Sequence, residues 1–207
     1  MAIINIASAV SNSVLMGIAN LVDAGGAAAK LRIYSDAIPA NPETTPAGSL
    51  LAELTMAYPC IAAKTVTNAL WATNEITYQV AAHGLTVGAR IKASGFTPSG
   101  YDGEYTVTAV VDVDNFKVAE TVDPGAFSAA GTLVAIDGGS LVFDTIADDT
   151  SADATGTATF ARVVDSNGTA ALDVDVGLGL NSEALVFNNV NIEATKLVTV
   201  SSFTITV

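Results

Sequence analysis

The stretch Phe160-Ala161-Arg162-Val163-Val164-Asp165-Ser166-Asn167-Gly168-Thr169-Ala170-Ala171-Leu172-Asp173-Val174-Asp175 decides the fold. Asn-Gly readily adopts the positive φ angles that a two-residue hairpin turn demands, and apolar residues alternate on both sides of it. With Asn167-Gly168 at the turn, Val163 opposes Leu172, Arg162 opposes Asp173, Ala161 opposes Val174 and Phe160 opposes Asp175. Side chains alternate across a strand, so Val163, Leu172, Ala161 and Val174 share one buried face while Arg162 and Asp173 pair on the other. Phe160 falls on that outer face and needs a second layer or a partner to cover it. An exposed ion pair contributes only about 0.2–1 kcal/mol, so Leu172→Ala is expected to cost more than Asp173→Ala.

Strands extend in both directions from this hairpin. Upstream, Leu31 and Ile33 alternate with Arg32 and Tyr34, and Leu50 to Met56 reads as a second strand. Between them the loop Ala37 to Ser49 carries Pro39, Pro42 and Pro46, whose missing amide donors discourage ladder pairing. Its length suits a contact surface or a plain solvated loop. Downstream, Val198 and Val200 are out of phase with Phe203, Ile205 and Val207, and a bulge near Ser201-Ser202 restores one inward face. From Trp71 to Val134 a self-contained set of alternating runs, with a turn at His83-Gly84, has the spacing of a small barrel or sandwich. Only one helix is expected: Val10, Val14, Leu15, Ile18, Leu21 and Val22 recur at helical spacing, Ser8 or Ser11 can cap it, and Gly25-Gly26 stops it.

Composition agrees with many short strands. Of 207 residues half are hydrophobic, 14% are charged and 6% aromatic, and the apolar share is small and β-branched, with Thr and Gly between. Twenty-one acids against 8 bases give a net charge of −13, which leaves no basic patch for phosphates or anionic lipid. Neither direct nucleic-acid binding nor a membrane role is expected. Ile3 to Val22 is interrupted by Asn5, Ser8, Ser11, Asn12, Ser13 and Asn20, with no basic residue ahead of it as in a secretory signal.

The side chains that carry catalysis are scarce. Cys60 is the only cysteine and His83 the only histidine, so no disulfide within the chain and no Cys-His pair at a meaningful spacing is available. Cys60 reads as a small buried hydrophobe and His83 as part of a turn. Gly95 to Gly103 is glycine-rich but holds no Lys for a phosphate. Asp148, Asp149 and Asp153, the pair Asp173 and Asp175, and the pair Asp112 and Asp114 offer oxygen donors without the loop of an EF-hand. No enzyme, cofactor or metal is expected.

Two resemblances emerge from these segments. Lys30 to Ser35, Leu50 to Met56, the acidic Thr/Ala stretch Asp148 to Thr159, Phe160-Ala161-Arg162-Val163-Val164-Asp165 and Ser202-Phe203-Thr204-Ile205-Thr206 together resemble small structural proteins of tailed-phage virions. Ala82-His83-Gly84-Leu85-Thr86-Val87-Gly88, Ile91 to Gly95 and Gly100 to Val110 resemble a module of phage virion proteins. That module is similar to the small β-barrel called the first catalytic cysteine half-domain of ubiquitin-activating enzymes. Cys60 lies outside the matched motif, and the likeness concerns the barrel alone.

The resemblances imply an all-β fold with one N-terminal helix. An antiparallel β-sandwich host domain, residues 1–60 and 137–207, carries a small β-barrel inserted at 61–136, since insertions succeed where strand ends lie close together. They also imply a capsid decoration or cement protein in the virion, assembled in the host cytoplasm. Its expected partners are the major capsid protein or tail proteins. A tail, baseplate or fibre part is the alternative, followed by a host-surface-binding module. A homo-oligomer is expected, a trimer ahead of a dimer. Phe160, Arg162, Asp173, Pro42 and Pro46 are the candidate protein-contact residues.

Overall fold

The computed structural model describes residues 7–179 and 184–207, so Ile3 and Asn5 of the apolar N-terminal stretch lie outside the described residues. The described chain is mostly strand with a single α-helix, α1, at Ser8–Val22. The Ala7 carbonyl accepts the N–H of Val10 and Ser11, so Ala7 holds the cap position expected of Ser8 or Ser11. At the other end Gly26, with φ +74°, turns the chain away.

The face that α1 buries differs from the expected stripe. Leu15, Met16, Ala19 and Val22 are buried together with Ser11 and Asn12, whereas Val10, Val14 and Leu21 are 51%, 49% and 57% exposed. Asn12 is the reason. Its Nδ2 donates to the Gly88 carbonyl at 2.9 Å and its Oδ1 accepts the Gly139 N–H at 2.9 Å, so a polar side chain satisfies two backbone groups that burial would otherwise strand.

In chain order the strands are β1 Lys30–Tyr34, β2 Leu50–Met56, β3 Lys64–Thr65, β4 Asn68–Ala72, β5 Glu75–Gln79, β6 Arg90–Ser94, β7 Gly103–Val110, β8 Asn115–Ala119 and β9 Thr132–Ile136. After them come β10 Ser140–Val142, β11 Ile146–Ala147, β12 Gly156–Thr157, β13 Phe160–Val164, β14 Ala170–Gly177, β15 Leu185–Val186, β16 Asn191–Ile192 and β17 Thr204–Thr206. The chain divides into two compact units. One holds α1 through Met16, Ala62–Leu141 and Thr206–Val207; the other holds Gly17–Ile61 and Val142–Ile205. The start of α1 and residues 137–141 thus group with the middle segment instead of with the outer ones. Asn12 binds Gly139 and the Val207 N–H donates to the Gly139 carbonyl, which accounts for the difference.

The first unit is a seven-stranded antiparallel sheet in the order β3-β9-β6-β7-β8-β5-β4. Its two outer strands are consecutive in the chain. Val66 N–H donates to the Gly131 carbonyl on the β9 side, and Thr67 N–H donates to the Gln79 carbonyl on the β5 side. One extended segment therefore pairs with both ends of the sheet and rolls it around a single core. That core holds Ile76, Tyr78, Ile91, Phe96, Tyr101 and Phe116, with the Tyr78 hydroxyl donating to the Tyr101 carbonyl. His83 is buried at the rim. Its Nδ1 accepts the Leu85 N–H at 2.9 Å and its Nε2 lies 3.0 Å from the Asp112 carbonyl, which fixes the tautomer with the proton on Nε2.

The second unit is built on a six-stranded sheet in the order β11-β2-β1-β13-β14-β15, antiparallel except for the parallel β14–β15 pair. Leu31, Ile33, Leu54, Ala161, Val163 and Val174 are buried on one face of it. Short pairings knit the rest of the unit: β12 with β16, and Asp149 with Val198. Val198, Val200 and Phe203 are all buried although they differ in phase, because no continuous strand joins them and only Thr204–Thr206 is regular.

The β13–β14 register is the one the hairpin sequence predicts: Phe160 opposes Asp175, Ala161 opposes Val174, Arg162 opposes Asp173 and Val163 opposes Leu172. The turn itself is different. Asp165 N–H donates to the Thr169 carbonyl and Gly168 N–H to the Asp165 carbonyl, both at 2.9 Å, so three residues rather than two make the loop, with Gly168 at φ +85°. That turn alone pairs Val164 with Ala170, one step off, and an irregularity between Val163 and Val164 restores the register. Asp165 sets the loop, its Oδ1 accepting the N–H of Asn167 and of Thr169 at 2.9 and 2.8 Å.

Candidate contact surface

Strand pairing in the second unit lines up four charged residues across the outer face of its sheet. Glu53 on β2 opposes Arg32 on β1, Arg32 opposes Arg162 on β13, and Arg162 opposes Asp173 on β14. The order of charges is minus, plus, plus, minus, so each arginine has its own carboxylate on the far side from the other. Arg32 Nε donates to Glu53 Oε2 at 2.8 Å. Arg162 Nε and Nη2 donate to the two Asp173 oxygens, each at 2.7 Å, in the side-on fork that a planar guanidinium makes with a carboxylate.

The Arg162–Asp173 pair is not the exposed pair expected from the sequence. Its side chains are only 7% and 5% exposed. The Pro-rich loop is what covers it: Arg162 Nη1 donates to the Thr44 carbonyl at 2.9 Å. Asp173's hydrogen bonds push Arg162's proton loss further above the ordinary guanidinium range. Leu172, expected to be buried, is half-exposed. The expected ranking of Leu172→Ala over Asp173→Ala therefore reverses, because removing one member of a buried pair leaves the other charge stranded.

Phe160 is likewise covered from within the chain. It is fully buried and stacks on its cross-strand neighbour Tyr34 of β1, with ring centroids 5.2 Å apart and planes 11° from parallel, so burial within the chain, not a partner, meets its need. Pro42 and Pro46 are half-buried and, with Glu43, Arg32, Tyr34 and Arg162, line an open hollow of about 700 Å³. Four of the five candidates thus meet beneath or within one loop, Arg162 and Asp173 as its foundations and the prolines as its walls, while Phe160 packs on Tyr34. Sequence reasoning missed Tyr34, Thr44 and the row from Arg32 to Glu53. Arg32 and Tyr34 were legible as outward-facing, but nothing in the sequence says which strand lies beside them.

Elsewhere, polar side chains serve the fold. Asp112, at the β7–β8 tip, is held below the ordinary carboxylate range by the Asp114 N–H and then the Asn115 amide. Cys60 is buried, with its Sγ 3.7 Å from the Ala19 carbonyl. Among the described residues no group of three His, Cys, Asp or Glu is placed to hold a metal ion, and no helix is long and apolar enough to cross a membrane. No protein-family model matches the chain, and neither a curated protein nor a solved structure is similar to it at a significant level.

Proposed function

We propose that this chain is a structural virion protein of a tailed bacteriophage, a decoration or cement protein that stabilises the capsid shell through protein–protein contacts. The observation that carries the reading is the way the candidate surface is fastened. Arg162, the one buried cation there, is engaged by Asp173 and Thr44, and no buried side-chain nitrogen or oxygen among the described residues lacks a partner. Such a surface is preorganised and chemically quiet, which suits rigid docking better than turnover. The phage assignment is supported by the motif resemblance at both ends of the chain and in its middle. Val10, Val14 and Leu21, exposed on a helix with no charged residue, support association into an oligomer, and many modest contacts repeated by symmetry give a shell multivalent strength.

Purified virions of the encoding phage test this directly. Densitometry should show the chain in hundreds of copies, and particles lacking it should rupture at a lower temperature until purified protein is added back. A few copies located on the tail would overturn the capsid role in favour of a tail, baseplate or fibre part. A hollow of about 360 Å³ in the first unit, lined by Trp71, Tyr101 and Phe127, favours a second reading as a host-surface-binding module. Saturable binding of a glycan, lost on Trp71→Ala, would carry that reading instead.

A further inference from the structure

Residues 142–149 and 198–203 of the second unit run side by side but are clasped only at their ends. Phe143 N–H donates to the Phe203 carbonyl at 3.0 Å, and Asp149 and Val198 exchange backbone hydrogen bonds of 3.0 and 2.8 Å. Between the clasps the two backbones part around a slot of about 570 Å³.

One wall of the slot is the edge of β11 and the other, residues 199–202, is irregular chain. β11 is an outer strand of the six-stranded sheet, with Ile146 opposite Met56, Ala147 opposite Thr55, and the Thr145 carbonyl accepting the Ala57 N–H. Backbone groups in an antiparallel ladder point alternately to either side. Thr145 and Ala147 are committed to β2, so the N–H and C=O of Ile146 point the other way, into the slot. On the facing wall Thr199, Val200, Ser201 and Ser202 make no hydrogen bond among the described residues. Ile146 and Val200 are buried residues all the same, and buried backbone groups are nearly always paired.

The walls also carry a charge. Asp144 and Asp148 line the slot, and no Lys, Arg or His does. The geometry points to a strand-insertion site: a basic, extended segment of another protein enters between β11 and residues 199–202 and extends the six-stranded sheet by one strand. Main-chain hydrogen bonds to both walls supply the binding, and a lysine or arginine facing Asp148 supplies the selection. The four residues Thr199–Ser202 set the length of the insert, since a strand rises about 3.3 Å per residue on both sides of a pair. A second copy of this chain is a poor occupant because it brings 21 acids and only 8 bases to acidic walls. The site rests on the geometry of this unit and stands apart from the virion reading.

The test is amide hydrogen exchange on the full chain with three terminally blocked peptides. One alternates lysine with valine, one alternates glutamate with valine, and one is the lysine peptide N-methylated at every second residue to remove its donors. In the free chain the amides of Ile146 and Val200 to Ser202 should exchange quickly. The lysine peptide should slow them selectively, and the other two should not. Asp148→Lys, at an exposed position with no hydrogen bond or ion pair of its own, should weaken the lysine peptide by about two- to fivefold, as loss of one surface charge pair does, with exchange elsewhere unchanged. Absence of protection at millimolar lysine peptide overturns the site. So does slow exchange at these amides in the dilute free chain, which means the slot is already closed. Equal protection by the glutamate peptide, or protection that grows with protein concentration alone, overturns the basic partner.

Discussion

The two units solve the same problem, the open edge of a sheet, in opposite ways. In the first, one segment from Lys64 to Ala72 pairs with β9 through its beginning and with β5 through its end, so both outer strands of the sheet belong to the same stretch of chain. In the second, β11 remains an outer strand facing a slot. The first sheet keeps its interior almost wholly aromatic and aliphatic, with the Tyr78, Tyr101 and Tyr105 hydroxyls each donating to a carbonyl. The open sheet carries apolar residues on one face and a buried ion pair on the other. The first unit thus joins its two outer strands through one short stretch of chain, whereas the second depends on a loop to dry one face and keeps β11 as an edge. A buried ion pair seldom adds net stability over well-packed apolar residues, but it penalises alternatives that would leave either charge alone. Here it fixes the position of the loop.

The largest expected effect tests that dependence. Asp173→Ala should destabilise the second unit by about 3–5 kcal/mol, the range for stranding one member of a buried pair, read as accelerated amide exchange in β13 and β14. Replacing both partners, Arg162→Met with Asp173→Leu, should restore most of that loss while freeing residues 37–49 to protease. If the single and double variants are equally unstable, the pair is a source of stability and not of placement.

Alkali should break the first unit instead. Burial, then Tyr105, raises the Tyr78 ionisation above its ordinary value, and burial followed by Glu120 raises that of Tyr105. A group whose folded value lies above its unfolded one contributes stability that is whole below the unfolded value, near pH 10, and is lost as pH climbs towards the folded one. Trp71 is the sole tryptophan and lies in the first unit, so its fluorescence should report cooperative unfolding above about pH 10. Tyr78→Phe should move that transition upward, at a neutral-pH cost of about 0.5–1.5 kcal/mol for the lost hydrogen bond. An unmoved transition would show that Tyr78 is not its cause.

Two smaller effects sharpen the hairpin. Leu172→Ala should cost about 1–2 kcal/mol, below the range for a fully buried leucine, and so less than Asp173→Ala in the same exchange experiment. Gly168→Ala should cost about 1 kcal/mol, since φ +85° is strained for any residue with a Cβ while no atom lies within 4 Å to clash. A larger loss at Gly168 would mean that the three-residue turn, not the strand ladder, holds the register.

The hairpin also shows how far the sequence can be read. Register was legible because a one-residue slip turns Ala161, Val163, Leu172 and Val174 to the other face, and that pressure survives a change of turn type through a compensating irregularity. Which outer residues stay wet was not legible. Arg162 is covered by Thr44 and Phe160 stacks on its cross-strand neighbour Tyr34, residues more than a hundred positions away, and local alternation carries no information about such partners. The same limit misplaced α1. Helical spacing treats valine as inward and asparagine as outward, but Asn12 is drawn in by Gly88 and Gly139, and Val10 and Val14 are turned out. The candidate residues were found because their pattern was unusual, and their surroundings had to come from the fold.

The second unit loses the chain after Ile61 and regains it at Val142, and just outside that gap the Asp144 N–H reaches the Cys60 carbonyl at 2.8 Å. The two ends are one hydrogen bond apart. At this crossing the segment 62–141 therefore counts, for that unit, as a loop closed by neighbouring ends. Loop-closure entropy grows only with the logarithm of length, about 0.6 kcal/mol for each doubling. Doubling the length of that connection thus costs the closure at Cys60 and Asp144 less than one ordinary point mutation, while the bonds of Asn12 to Gly88 and Gly139 and of Val207 to Gly139 belong to the segment itself and set what a shorter one would lose.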